Sequence, residues 1–216
     1  MVGDDGIGYS VYHDCSKLAV ESGAGPALAA LVAGINNAVI STCETFAVHA
    51  GAVGWEGGIL ALPAESGGGK STLTAALVKT GFGYLSDEAL VIEDSGAVVA
   101  YPKPFALSEW SARALGLEPE GEETLIVPDQ LGGSFFAGEG RLTELVLAEY
   151  GHEETRLDSL PRSQAVAALI RLSFNHYRDP ERAFRLSTSV ARNLRVWKLE
   201  YDQPLEAAEL LSSTFT

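Results

Sequence analysis

Positive charge is scarce in this chain. Its 15 lysines and arginines stand against 29 aspartates and glutamates, for a formal net charge of −14 over 216 residues. Such a surface has no cationic surplus with which to neutralise a phosphate backbone, so nucleic acid is not an expected partner. Cysteine is scarcer still. Cys15 and Cys43 are 2 in all, with no CxxC spacing and no histidine at metal-ligand intervals, which excludes a disulfide framework and a zinc site as expectations. The opening Met-Val-Gly-Asp-Asp lacks the basic start and apolar run of a signal peptide, and no stretch reads as the roughly 18 consecutive apolar residues of a membrane span. Together these absences predict a soluble cytoplasmic protein without membrane association. Internal repeats and low-complexity tracts are absent too, and 46% hydrophobic residues suffice for one well-buried core at this length.

Residues 8–21 alternate around a polar break at His13-Asp14 and predict a short hairpin, while Gly6-Ile7-Gly8 reads as a turn. From Ala27 to Ser41 the residues Leu28, Leu31, Val32, Ile35 and Val39 recur at three- and four-residue steps, predicting an amphipathic helix with one buried stripe. Residues 46–53 and 58–63 read as strands split by a turn at Trp55 and Glu56, and Lys70 to Thr80 as a helix closed by Gly81. A strand ends at Asp87-Glu88, and a hairpin is expected over 90–101 with its turn at Asp94-Ser95-Gly96. Beyond a helix near 108–115, residues 116–123 and 132–140 read as loops, the second mobile. Strands near 141–150 and 194–201 and helices near 163–174, capped by Ser163, and 205–211 complete an α/β chain. Residues 1–45 are expected to form a small hairpin-plus-helix extension on a core of residues 46–216.

The segment Ala64-Glu65-Ser66-Gly67-Gly68-Gly69-Lys70-Ser71 matches the Walker A pattern with Ala64 in place of its first glycine. Consecutive glycines let the backbone wrap an anion with its N–H groups pointing inward, and the helix starting at Lys70 adds its positive end. Ser66, Gly67, Gly68, Gly69, Lys70, Ser71 and Thr72 are thus candidate nucleotide-binding residues, with Lys70 reaching the β and γ phosphates and Ser71 ligating magnesium. Asp87 and Glu88, at the end of the strand after the phosphate-loop helix, are placed to return beside the phosphates. One can hold magnesium while the other takes a proton from an attacking hydroxyl. His49 lies on the strand before the loop. Lys103, between Pro102 and Pro104, could reach a phosphate but reads more simply as an exposed lysine; Arg141, Arg171, Arg178 and Arg192 are candidates for a transition-state clamp, and Asn175 and His176, ending a predicted helix, read as a cap with a substrate contact as the alternative.

Taken together, His49-Ala50, the strand Ile59 to Leu62, Gly69-Lys70-Ser71, Lys79-Thr80-Gly81 and Asp87-Glu88 resemble, in order and spacing, the catalytic domain of HPr kinase/phosphorylase, a bacterial serine kinase related in fold to phosphoenolpyruvate carboxykinase. The resemblance covers residues 46–95 or so. It implies an α/β fold with a mixed sheet carrying the phosphate loop, ATP and Mg2+ as cofactors, Asp87 as general base, Glu88 as an aid to magnesium, and His49 lining the acceptor side. Catalytic roles accordingly fall to Asp87, His49 and Lys70, and metal ligation to Ser71, Glu88 and Asp87. The chain departs from the family at Glu88, Ala50 and Ala64, where the family has Asp, Gly and Gly, and shows no signature for docking the HPr carrier protein. The expected activity is therefore phosphoryl transfer to another hydroxyl, most simply a serine of a peptide or protein. The alternatives are a small-molecule hydroxyl acceptor, or a nucleotide-binding regulatory module without catalysis. Self-association into a homo-oligomer is compatible with either.

Overall fold

A computed structural model describes residues 2–4, 8–13, 16–21, 23–138 and 140–216. Strands β1 (Val2–Asp4), β2 (Tyr9–His13) and β3 (Ser16–Glu21) form an antiparallel sheet followed by helix α1 (Ala24–Thr42). The expected hairpin over 8–21 is present as β2 and β3, while its turn residue Asp14, Cys15, and Gly6-Ile7 lie outside the described residues. There follow β4 (Phe46–Trp55), β5 (Gly58–Pro63), α2 (Lys70–Lys79), β6 (Gly83–Ser86), β7 (Ala89–Ile92), β8 (Val98–Val99), β9 (Phe105–Ser108) and α3 (Glu109–Ala114). The chain closes with β10 (Glu123–Ile126), β11 (Ser134–Phe135), β12 (Leu142–Tyr150), β13 (Arg156–Leu160), α4 (Arg162–Arg171), α5 (Pro180–Ala191), β14 (Arg195–Tyr201) and α6 (Pro204–Phe215).

The central sheet is mixed, as expected, and runs in the order β11-β6-β4-β5-β12-β14-β13, with β7 and β8 continuing from β4. Strands β5, β12 and β14 are mutually parallel neighbours, so Pro63, Tyr150 and Tyr201 all finish at one edge of the sheet. Period-two alternation divides the core into two faces. Leu60, Leu62, Val146 and Leu199 pack with Leu73 and Leu77 of α2 and Leu211 of α6; Ile59, Ala61, Leu145 and Val196 pack with Leu169 of α4 and Leu186 of α5. Helices thus cover both faces, and α2, which follows the glycine-rich loop, lies on the first.

Several expectations need correction. Leu28, Ile35 and Val39 of α1 are exposed, and the helix instead buries Ala27 and Asn36. Its apolar stripe is broader than the small sheet it meets. By length and composition α1 is also long and apolar enough to cross a bilayer, with a mean hydropathy of 1.4, a property that core helices and signal sequences share. Glycine, asparagine and serine interrupt the apolar run of α1, so no unbroken stretch marks it in the sequence, while no charged residue lowers its average. The stretch 132–140 is not all loop: β11 extends the sheet beside β6, and the Phe136 amide donates to Tyr84 O at 2.9 Å, because the edge of β6 offers unpaired backbone groups. Strands β9, β10 and β13 and helix α5 were not foreseen, and α4 starts at Arg162 after Pro161, with no side-chain cap from Ser163.

One close approach sets the height of α2 above the sheet. A Cβ on Gly51 of β4 would lie 2.1 Å from Thr74 Oγ1 and 3.3 Å from Lys70 Cγ. The Thr74 hydroxyl in turn donates to Lys70 O at 2.8 Å. Only glycine lets the first turns of α2 settle this deep. Gly51→Ala is expected to cost about 1–3 kcal/mol by overpacking, read as a lower denaturant midpoint, and Thr74→Ala in the same chain should recover part of that loss by emptying the contested space.

Candidate active site

The glycine-rich loop leaves β5 at Pro63 and enters α2 through Gly69, whose φ of +75° is the left-handed N-cap geometry of that helix; Gly67 has φ +80°. Side chains with a Cβ resist both conformations, which explains the glycines at these places. The first residue, Ala64, is held by its amide donating to His49 O at 3.3 Å.

His49, Ser66, Gly67, Gly69, Lys70, Ser71, Thr72, Asp87 and Glu88 line one cavity of about 510 Å³, nine of the ten residues read in the sequence as nucleotide-binding, catalytic or metal-ligating; Gly68 belongs to the loop but does not line it. The Asp87-Glu88 turn between β6 and β7 is held by Ser86, whose Oγ accepts from the amides of Glu88 and Ala89 at 3.2 and 3.1 Å. Asp87 is 1% exposed. Its Oδ1 accepts from the Tyr84 hydroxyl and pairs with Lys103 Nζ, both at 2.8 Å, while Oδ2 is buried with no hydrogen-bond partner among the described residues. Burial, then the adjacent Asp87 charge, push the Tyr84 hydroxyl well above its usual range, so it stays protonated and can donate.

Lys103 is therefore not the exposed lysine expected from sequence. Flanked by two prolines, it turns inward and also approaches Glu88 Oε2 at 3.9 Å. Glu88 faces His49 across 3.5 Å, and His49 stacks obliquely on Phe174 with ring centroids 5.3 Å apart. The hydrogen bond with His49, reinforced by Lys103, holds the Glu88 carboxyl below its ordinary range despite partial burial. Lys70 is buried and has no ion pair among the described residues; desolvation lowers its pKa, with Glu88 and Asp87 opposing the shift.

Thr72 lines the cavity, but its hydroxyl is engaged with Ser111 Oγ at 2.7 Å, fastening α3 to the first turn of α2. None of the four arginines lines the cavity. Arg171 pairs with Glu65 at 3.0 Å; Arg178 donates to Cys43 O and Ser41 O; Arg141 and Arg192 line separate surface depressions. Asn175 is no helix cap. Its amide clasps Cys43 O, Thr45 O and the Ala47 amide, anchoring the start of β4. His176 opens a 3-10 turn, its ring near Ser173 O.

Sequence reasoning missed the opposite wall, made by Trp110, Tyr150, Tyr201 and Pro204. The signal was available: Tyr150 and Tyr201 end strands parallel to β5, and ligands gather beyond the carboxyl ends of parallel strands.

No protein-family model matches the chain, and no curated protein matches its sequence. Among solved structures it is similar to one described as the HPr(Ser) kinase/phosphatase from Coxiella burnetii, with 11% sequence identity over 78% of this chain and 95% of that one, and a TM-score of 0.40. A likeness of that degree carries no argument about chemistry, which must come from the side chains of this cavity.

An unpaired buried ammonium costs stability until an anion meets it. Without nucleotide or magnesium, Lys70→Met is expected to unfold at a higher urea concentration than the parent at pH 7. Because the folded-state pKa of Lys70 lies below its unfolded value of 10.5, the parent gains stability as pH rises between those two values. The gap should therefore narrow as the medium becomes more alkaline, and urea titrations across that range measure it.

Proposed function

We propose that the protein is an ATP- and magnesium-dependent phosphotransferase acting on a hydroxyl acceptor, a serine of a peptide or protein or a small-molecule hydroxyl. The observation that carries this reading is the convergence on one cavity of the glycine loop, Lys70, and the carboxylates Asp87 and Glu88. The side chains suit the group they would hold. Ser71 and Glu88 offer hard oxygen donors of the kind magnesium prefers, and Asp87 Oδ2, buried without a partner among the described residues, is left to accept a proton. Bound magnesium supplies neutralisation of the charge on the transferring phosphoryl group.

In this reading the loop amides and Lys70 hold the phosphates, and Lys103 keeps Asp87 oriented while adding a second positive charge where an arginine is lacking. The acceptor oxygen forms a bond to the γ-phosphorus, the bond from that phosphorus to the β-phosphate oxygen breaks, and the acceptor proton passes to Asp87 Oδ2. ADP and the phosphorylated acceptor leave. His49, facing Glu88, borders the acceptor side.

Asp87→Asn keeps an oxygen for the Tyr84 hydroxyl and removes the base. Phosphoryl transfer, followed with labelled ATP and a phosphorylatable acceptor, is expected to fall by about 100-fold or more, while calorimetry finds magnesium-ATP binding retained. Undiminished turnover would remove Asp87 from the role. Failure of the parent protein to bind magnesium-ATP would remove the reading as a whole.

A further inference from the structure

The cavity has two chemically different ends. At one lie Asp87, Glu88, Lys103 and His49; at the other is an unbroken series of aromatic rings. Trp110 meets Tyr150 edge to face at 5.2 Å and 67°, and Tyr150 meets Tyr201 in the same manner at 5.7 Å and 66°. The innermost ring is fully packed, with Tyr201 1% exposed, and burial pushes its hydroxyl pKa up to about 12. The outer two are not: Trp110 is 48% and Tyr150 49% exposed. Two large rings held half in water at the mouth of a cavity leave apolar surface for a flat ligand to cover.

This wall is built into the phosphate site. A Cβ on Gly69 would lie 2.9 Å from the Tyr201 hydroxyl, so the ring series begins against the loop itself. Trp110 stands on α3 next to Ser111, whose hydroxyl bonds Thr72 at 2.7 Å and Ser108 at 2.9 Å. The tryptophan is thereby tied through α3 to the first turn of the phosphate-loop helix.

We infer that Trp110 and Tyr150 form the platform on which the nucleobase of the bound nucleotide stacks. The inference rests on the proposed phosphotransferase reading and fixes the direction of the nucleotide: the γ-phosphoryl group toward Asp87 and Glu88, the base toward the rings. Aromatic stacking accepts any base face, so the platform adds affinity for nucleosides over bare phosphate chains without itself choosing among bases.

Magnesium-ATP and magnesium-tripolyphosphate, which carries no base, are titrated against the parent, Trp110→Ala, Trp110→Phe and Tyr150→Ala, with thermal unfolding recorded for each. The parent is expected to bind ATP at least about 10-fold more tightly than tripolyphosphate. Trp110→Ala should lose most of that preference through weaker ATP binding, with its affinity for tripolyphosphate unchanged; Trp110→Phe should keep most of it, and Tyr150→Ala should resemble Trp110→Ala. An unchanged tripolyphosphate affinity also shows that an alanine variant is folded at the loop. Equal affinity of the parent for both ligands overturns the platform while leaving the phosphate site standing. Unchanged ATP affinity in both alanine variants does the same, and gives the rings to the acceptor instead. If the parent binds neither ligand, the platform falls together with the nucleotide reading.

Discussion

Two lysines and two carboxylates share one largely buried pocket, and the balance of charge among them governs the rest of the site. Lys103 neutralises Asp87 directly, whereas Lys70 feels Asp87 and Glu88 only at a distance and has no ion pair among the described residues. A low-dielectric pocket makes each of these charges costly alone and tolerable together. His49 and Lys103 hold the Glu88 carboxyl below its ordinary range. Lys70 at the helix start has no ion pair, and Asp87 Oδ2 no hydrogen-bond partner, among the described residues.

Backbone geometry brings these side chains together. The Asp87-Glu88 turn is fixed by Ser86, His49 is held between Ala64 and the 172–174 segment by backbone hydrogen bonds, and Lys103 is pinned between prolines. Each constraint comes from a different element. The parallel trio β5, β12 and β14 then places the loop and two tyrosines at one edge of the sheet. The glycine loop and the ring-bearing wall therefore share a framework of strand ends, and the Thr72-Ser111 bond joins α2 to α3 beside them.

How much of this was legible in the sequence depended on the range of the signal. The loop, its helix, and the strands before and after it were readable because glycine, lysine and alternating apolar residues report local backbone needs. His49, Lys70, Ser71, Asp87 and Glu88 fall in a contiguous stretch, so their convergence followed from a few short connections. Lys103 and the rings were less visible because their positions depend on long-range pairing: β9 with β10, and β12 with β14, bring distant segments to the cavity. Residues 24–42 misled in the other direction. Their helical period was real, but period alone says which side chains share a face and nothing about what faces them.

Strand β4 shows what this architecture leaves free to change. Gly51 is occupied from one side by Thr74, and three residues on, a Cβ at Gly54 would lie 2.6 Å from the Phe136 ring. Little room for an added methyl group remains at these positions, while the strand also carries His49 at its outer half. Edge strand β13 exposes Arg156, Asp158 and Ser159, while its Leu157 and Leu160 pack against the two core clusters. For anyone recombining or grafting onto this scaffold, variation belongs along the β13 rim, and β4 is the part to carry over intact.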